Sequence, residues 1–129
     1  NYWQFGDYLG LGAGAHGKVT LREAGEIVRR VKTRNPRTFV QCAGAAEAAT
    51  EERVAKPQQA ALEFLMNALR LLDGAPDAVF VARAGQPVAA IAAARAAAIA
   101  RGWLTTEPAT VRATPAGLER LNRLLELFA

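Results

Sequence analysis

Cysteine and long apolar runs are scarce in this chain of 129 residues, and their scarcity excludes several kinds of protein. Cys42 is the sole cysteine, so no disulfide can form within the chain, and a reducing, cytoplasmic location is expected. Residues 89–100 come nearest to an apolar run, but they consist mostly of alanine and include Arg95. A transmembrane helix needs about 18 or more predominantly apolar residues, so none is predicted.

Residues that perform chemistry are scarce as well. The chain has one histidine, His16, and no pair of carboxylates or cysteine–histidine arrangement that favours acid–base or nucleophilic catalysis. We therefore expect the chain alone to be catalytically inert and to hold no cofactor. The sequence starts at Asn1 and its only methionine is Met66, which predicts a piece of a longer protein.

The chain does have an apolar share of 51% and a net charge of +4. The apolar share is enough for a packed core, although much of it is alanine. Five basic residues fall between Arg29 and Arg37. Such a cluster can attract phosphate groups or nucleic acid, but it is more often the solvated face of a strand pair, which is the interpretation favoured here.

A glycine-rich stretch raises the question of a nucleotide site. The sequence from Gly12 to Gly17, GAGAHG, fits the dinucleotide fingerprint G-x-G-x-x-G. That fingerprint also needs a helix directly after the glycines and an acidic residue roughly 20 positions further on. Residues 19–31 instead predict β structure, and no acidic residue lies between Glu26 and Glu47. A dinucleotide site is therefore disfavoured, and a tight turn or a backbone passing close to another group is expected.

Local patterns predict an α+β fold that is mainly helical. The predicted strands are residues 2–11, a hairpin of 18–21 and 27–31, then 79–81, 103–105 and 110–112. The predicted helices are a weak one within 38–56, one over 57–72, one over 86–101, and a last one that begins after Thr114. The C-terminal order of helix, helix, two-stranded wing and helix is typical of a winged-helix-like domain.

Several segments of the chain resemble one protein family. They are YWQFGDYLGLGAGAHG (2–17), RRVKTRNP (29–36), EFLMNALRL (63–71), TPAGL (114–118) and LNRLLELF (121–128). Over nearly its whole length the chain resembles radical-SAM proteins of the oxygen-independent coproporphyrinogen III oxidase-like group, and specifically their HemW haem-chaperone branch. The first and third segments are long and specific.

The resemblance implies a longer protein, in which a partial (β/α) barrel holds a [4Fe-4S] cluster and S-adenosylmethionine and a smaller domain follows. Residues 1–37 would be the last barrel strand, the Gly-rich loop and the hairpin. Residues 38–129 would be a helical C-terminal domain with a winged-helix-like end. In the family the cluster ligands, C-x-x-x-C-x-x-C, lie near the N-terminus, and Cys42 matches none of their positions.

The same resemblance implies a cofactor-contacting loop. Gly10, Gly12, Gly14 and His16 would lie on the S-adenosylmethionine side of the barrel. The relatives have an aliphatic residue where this chain has His16. Judged from the residues alone, a lone histidine beside glycine is a surface turn residue.

A second implied site concerns haem. Tyr2 and Trp3 fit the last two positions of the family's His-Asn-x-x-Tyr-Trp motif, which is proposed to bind haem. The histidine of that motif would precede this chain. Core packing between the barrel and the C-terminal domain is the alternative interpretation of Tyr2 and Trp3.

Three functions stay open at the level of sequence. The resemblance favours a haem chaperone, which binds haem and delivers it to an acceptor protein. The alternative is a true oxygen-independent coproporphyrinogen III oxidase of porphyrin biosynthesis. A nucleic-acid-binding winged helix is disfavoured, because residues 88–101 carry only Arg95 and Arg101 as polar side chains. The expected partners are the rest of the barrel and haem or a porphyrin, and self-association through an exposed strand is also expected.

Overall fold

Two compact units make up the chain. The structure, a computed structural model, describes all residues except Arg22, Ala46, Glu47, Ala55 and Lys56, and of residues 49–54 and 57 it describes the backbone. The helical unit comprises Asn1–Phe5 and Lys56–Ala129, and the sheet unit comprises Gly6–Ala55. The sequence predicts a different division, into domains of residues 1–37 and 38–129. The two compact units do not test that division, and it stays a prediction.

An antiparallel three-stranded sheet forms the sheet unit. Its strands are β1 (His16–Leu21), β2 (Glu26–Lys32) and β3 (Ala49–Val54), and β2 lies in the middle. In the predicted hairpin Leu21 pairs with Glu26, and Gly25 turns the chain with a φ of 64°. The hairpin prediction is confirmed.

A short helix follows the hairpin. It is α1 (Pro36–Gln41), and it begins where the Asn35 side chain accepts hydrogen bonds from the backbone N–H groups of Arg37 and Thr38. Asparagine at this position satisfies donors that the first turn of a helix leaves without partners. The predicted end of the hairpin before Asn35–Pro36 is confirmed as well.

The weak helix predicted within residues 38–56 is wrong for residues 49–54. That segment is strand β3, which pairs with the open edge of β2 and places Glu51 opposite Arg30. Hydrogen bonding along a strand edge outweighs a helix propensity of at most about 1 kcal/mol per residue. Residues 46, 47, 55 and 56 of the predicted helix lie outside the described residues.

The strand predicted over residues 2–11 is also wrong, because the structure has only a single β-bridge in this segment. Residues 2–5 form a turn in which the Phe5 N–H donates to the Tyr2 carbonyl at 3.0 Å, and Phe5 has a φ of 58°. The turn lets the Phe5 ring pack against Phe64, and only 2% of Phe5 is exposed. Further along, Tyr8 makes a single β-bridge with Lys18.

Short helices dominate the helical unit. They are α2 (Pro57–Ala68), α3 (Asp77–Ala84), a 3₁₀ turn (Val88–Ile91), α4 (Ala92–Ala100), α5 (Pro115–Glu119) and α6 (Leu121–Glu126). Two short antiparallel strands, β4 (Ala75–Pro76) and β5 (Thr110–Val111), form a second sheet. The predicted helices over residues 57–72 and 86–101 are thus confirmed in place, the first ending earlier than expected.

Phenylalanine rings form the centre of the helical unit. Phe64 packs edge-on against Phe5, with ring centroids 6.2 Å apart, and against Phe80, at 5.3 Å. Such T-shaped pairs contribute about 0.5–1.5 kcal/mol beyond the apolar area they bury. Other large side chains of this core that are fully buried are Leu65, Leu69, Val111 and Leu124.

Three further predictions for the helical unit need correction. Residues 79–81 are not a strand but part of α3, because Phe80 and Ala84 are buried one helical turn apart. Residues 103–105 make only a bridge, between Leu104 and Ala113, while β5 pairs with β4. The last helix is two helices, because the chain breaks at Arg120, where φ is −116°.

Close packing determines the start of α5. The Thr114 hydroxyl accepts a hydrogen bond from the Gly117 N–H at 3.1 Å, which confirms the predicted N-cap. Gly117 is buried so close to the Trp103 carbonyl that a Cβ would collide with that oxygen. Only glycine therefore fits this position.

A half-buried arginine ties together distant segments of the helical unit. Arg95 donates to both carboxylate oxygens of Asp77, at 3.0 and 2.8 Å. It also donates to the backbone carbonyls of Glu107 (3.1 Å) and Thr110 (2.7 Å). Arg95 and Asp77 are only 14% and 15% exposed, so this charge is well protected from water.

The mixture of helices with two small sheets places the chain in the α+β class, as predicted. Among the residues that the structure describes, no helix has both the length and the apolar character to cross a bilayer.

Candidate functional site

The glycine-rich loop, residues 9–15, folds back on the hairpin through its backbone. The Gly14 N–H donates to the Thr33 carbonyl at 2.8 Å, and the Ala15 carbonyl accepts from the Lys32 N–H at 2.9 Å. Some backbone groups that a phosphate would need are therefore already bonded within the protein. The loop is held as an extension of the sheet.

Different physical reasons explain why glycine occupies different positions of this loop. Gly10 lies so close to the His16 carbonyl that a Cβ would collide with it, so the packing of the loop itself requires glycine there. Gly12 has a φ of 94° and open space beside its Cα, which leaves room for another molecule to approach its backbone. Gly12 is thus the position in this loop most suited to a ligand contact.

A strand, not a helix, follows the glycines. β1 starts at His16, directly after the loop. Without a helix N-terminus at this point, the loop lacks the dipole and N–H groups on which a dinucleotide-binding site depends. The sequence-based argument against a dinucleotide site is confirmed in this respect.

His16 is exposed at the first position of β1. Within the described part of the chain, no group of three or more histidine, cysteine, aspartate and glutamate side chains could hold a metal ion. Cys42 is partly exposed and belongs to no such group.

A buried lysine lies beneath the start of the loop. Only 1% of Lys18 is exposed, and its ammonium group donates to Asp7 Oδ1 at 3.1 Å and to Thr20 Oγ1 at 3.3 Å. The Thr20 hydroxyl donates to the same carboxylate oxygen at 2.8 Å. A buried ammonium is stable only when it is paired and hydrogen-bonded in this way.

The electrostatics of Asp7 follow from these contacts. Partial burial alone would raise the pKa of Asp7, but hydrogen bonds from Thr20 and the charge of Lys18 outweigh it and hold the pKa below its ordinary value of 3.8. The sequence did not reveal that Lys18 is buried, because a lysine in a strand is normally exposed.

Tyr2 and Trp3 belong to the helical unit. Their rings meet edge-on with centroids 5.6 Å apart, and 54% of Tyr2 and 49% of Trp3 are exposed. Neither ring is buried within this chain. The other predicted site residues, Gly10, Gly12, Gly14 and His16, all belong to the sheet unit.

An apolar groove of about 400 Å³ runs along one face of the hairpin and the loop. Its side chains include four apolar residues, Leu9, Leu11, Val19 and Leu21, and two cations, Arg30 and Lys32. Leu9 is 79% and Leu11 is 87% exposed. Sequence reasoning missed this groove, although apolar residues alternate with other residues at positions 9, 11, 19 and 21.

Comparison with known proteins places the chain in a family. The family model described as the HemN C-terminal domain matches residues 55–119. The chain belongs to the HemN C-terminal domain family. This match confirms the family that the sequence motifs indicated.

Curated relatives extend the similarity over the whole chain. The "Heme chaperone HemW" of Escherichia coli strain K12 is 44% identical over 128 residues, which is 99% of this chain and 32% of that protein. The "Heme chaperone HemW" of Haemophilus influenzae is 36% identical over 128 residues, which is again 99% of this chain and 32% of that protein. That of Buchnera aphidicola from Acyrthosiphon pisum is 31% identical, over 99% of this chain and 33% of that protein. The chain thus spans about a third of the length of these relatives. No solved structure matches it.

Proposed function

We propose that the chain is the C-terminal part of a haem chaperone, a protein that binds haem and passes it to an acceptor protein. The observation that carries this proposal is the 44% identity over 128 residues to a protein named as a haem chaperone. A cytoplasmic location is part of the proposal, because the single cysteine suits a reducing compartment. The finer architecture, a winged-helix-like end after the last strand of a partial barrel, belongs to the proposal too.

Tyr2 and Trp3 are the residues we assign to haem at the start of the chain. Their half-exposed, edge-on rings supply apolar area with a polar edge, which suits stacking on a porphyrin. The Tyr2 hydroxyl and the Trp3 indole N–H are also able to bond to a carboxylate.

S-adenosylmethionine would be contacted by the loop that contains Gly10, Gly12, Gly14 and His16. The open backbone at Gly12 fits such a contact best. An iron–sulfur cluster does not fit the residues of this chain, because cysteine ligands are needed and Cys42 is the only cysteine. We therefore assign the [4Fe-4S] cluster to the rest of the radical-SAM barrel, with which this chain would pack.

The second candidate function is that of an oxygen-independent coproporphyrinogen III oxidase. Its support is the family itself, whose model bears the name of the HemN C-terminal domain. The names of the relatives that match 99% of the chain favour the chaperone. Detection of protoporphyrinogen formed by the full-length protein with a reductant would reverse this ranking.

Nucleic acid is not a proposed partner. On α4, Arg95 is bonded to Asp77 and two carbonyls, and the exposed residues around it are alanines. Base readout requires polar side chains on the exposed helix face, and α4 offers few. Haem, an acceptor protein and other copies of the chain are the proposed partners.

Haem transfer tests the proposal directly. The full-length protein is loaded with haem, and transfer to apomyoglobin is followed by the Soret absorbance. We expect binding and transfer, with Tyr2→Leu/Trp3→Leu binding haem about tenfold more weakly, a change of about 1.4 kcal/mol. Leu72→Ser, at a residue that is 78% exposed, is the control and should bind like the parent chain. A full-length protein that binds no haem would contradict the proposal.

A further inference from the structure

We propose that the apolar groove of the sheet unit binds the porphyrin ring of haem and that Lys32, with Arg30, holds its propionates. This inference rests on the proposed function, and it adds a porphyrin-binding surface that is separate in sequence from Tyr2 and Trp3. The groove lies entirely within the sheet unit.

The apolar lining of the groove comes from residue alternation. Along β1 every second side chain points to the same face, so Val19 and Leu21 share a face, with Val28 of β2 beside Val19 in the register. Leu9 and Leu11 extend this face from the loop. All four of these β1 and loop side chains are more than one third exposed in the chain as it stands. A flat apolar molecule would remove this area from water, which favours its binding.

The charged residues that border the groove indicate which apolar molecules would bind there. Arg30 and Lys32 lie at successive same-face positions of β2 and both border the groove. The residue opposite Arg30 in the neighbouring strand is Glu51, whereas the residue opposite Lys32 is Ala49. The ammonium of Lys32 lies 5.7 Å from the centre of the Phe39 ring. One end of the groove is therefore cationic, and it complements a ligand with an apolar body and carboxylates along one edge.

Haem has that shape and charge, since its ring is flat and apolar and two propionates project from one edge. A volume of about 400 Å³ is within the range of small-molecule sites. The described lining residues include no histidine, cysteine, methionine or tyrosine to serve as an axial ligand. The groove would thus bind the porphyrin through its ring and propionates, and the iron would not contribute.

The test compares three porphyrins on the full 129-residue chain. Haem, metal-free protoporphyrin IX and protoporphyrin IX dimethyl ester are titrated, with binding read from porphyrin absorbance or fluorescence. The first two should bind to the groove with similar affinity. The dimethyl ester, which lacks the negative charges, should bind about tenfold more weakly.

Two groove variants locate the site. Leu9→Ser/Leu11→Ser and Lys32→Gln should each weaken binding of metal-free protoporphyrin IX by about tenfold. Leu72→Ser and Arg70→Gln, at exposed positions of the helical unit, are matched controls and should have no effect. Because Leu9 and Leu11 are so exposed, their replacement should leave the circular dichroism spectrum and the thermal unfolding unchanged.

Several results would overturn the inference. If the chain binds haem but the groove variants bind it like the parent, the groove is not the site, while the proposed function stands. If S-adenosylmethionine displaces the porphyrin, the groove belongs to that cofactor. If Leu9→Ser/Leu11→Ser alters the sedimentation coefficient but not porphyrin affinity, the groove is an interface between copies. A chain that binds no porphyrin refutes the inference, while haem binding by the full-length protein would leave the proposed function standing.

Discussion

The helical unit and the sheet unit are stabilised in different ways. In the helical unit, Phe64 and Phe80 are fully buried among leucines, and the main charged group of the interior, Arg95, has four hydrogen bonds. Among the side chains that the structure describes in the sheet unit, the largest fully buried one is Lys18, and the apolar residues Leu9 and Leu11 face solvent.

This contrast indicates that the two units contribute differently to folding stability and to contacts with other molecules. Apolar burial supplies most of the free energy of folding, and the helical unit contains most of it. The sheet unit relies on strand pairing and on a charged cluster, and some of its apolar side chains, such as Leu9 and Leu11, remain available for contacts. The sheet unit is therefore the better candidate for ligand binding, and the helical unit is the better candidate for stabilising the fold.

The largest expected effect is in the helical core. Phe64→Ala removes the ring that contacts both Phe5 and Phe80, and it should lower the free energy of unfolding by about 3–5 kcal/mol. Urea denaturation followed by circular dichroism measures the change, with Leu72→Ala as the exposed control. Hydrogen exchange of Phe64→Ala then tests whether the two units differ in stability. If the hairpin amides of β1 and β2 lose as much protection as those of α2, the two units unfold together. That result would contradict the contrast between them.

Breaking the arginine contacts should rank second. Arg95→Ala leaves Asp77 and two carbonyls without their donor, at a cost of about 3 kcal/mol, the low end for a buried ion pair because some solvent reaches it. Arg95→Lys should recover only part of this, since an ammonium cannot reproduce the planar geometry of the guanidinium. Thermal unfolding of both variants checks the order, and equal stability of Arg95→Ala and the parent would refute it.

A third expected effect concerns the glycine loop. Gly10→Ala introduces a Cβ that collides with the His16 carbonyl, and the strain should cost about 2 kcal/mol. Loss of amide protection should be confined to the loop and β1, which hydrogen exchange resolves residue by residue. Ala13→Ser, in the exposed part of the same loop, is the control. A shift confined to the helical unit would show that the loop is not packed as described.

The smallest expected effect is a dependence on pH in the sheet unit. Since the pKa of Asp7 is lower in the folded chain than its ordinary value of 3.8, its ion pair stabilises the fold above that value, and the stabilisation is lost as the pH falls through the lowered pKa. Asp7 is partly exposed, so the effect should be at most about 1 kcal/mol. Unfolding of the parent and of Asp7→Asn on both sides of pH 3.8 measures it, and parallel pH profiles would contradict it.

Local residue patterns predicted much of this molecule. The hairpin followed from β-prone residues around a glycine turn, and the start of α5 from Thr114 and Pro115, because these features depend on neighbours in sequence. Strand β3 was missed because its pairing with the edge of β2 is a long-range interaction, which local alanine content does not reveal.

The candidate site was only partly predictable for the same reason. Sequence indicated the glycine loop, Tyr2 and Trp3, but not the buried state of Lys18, which depends on Asp7 eleven positions away. It marked Arg95 only as a charge within an alanine run, since Asp77 lies 18 positions earlier. The groove depends on the register of β1 against β2, which residue types alone do not determine.

The contacts of Arg95 have a consequence for folding kinetics. Its partners lie 12, 15 and 18 positions away along the chain, in two different segments. The guanidinium group can make all its hydrogen bonds only after α3, α4 and the segment that leads into β5 have come together, so these bonds should form after the folding transition state. Interactions of that kind slow unfolding and leave the folding rate nearly unchanged. We therefore expect Arg95→Ala to speed unfolding of the helical unit much more than it slows folding.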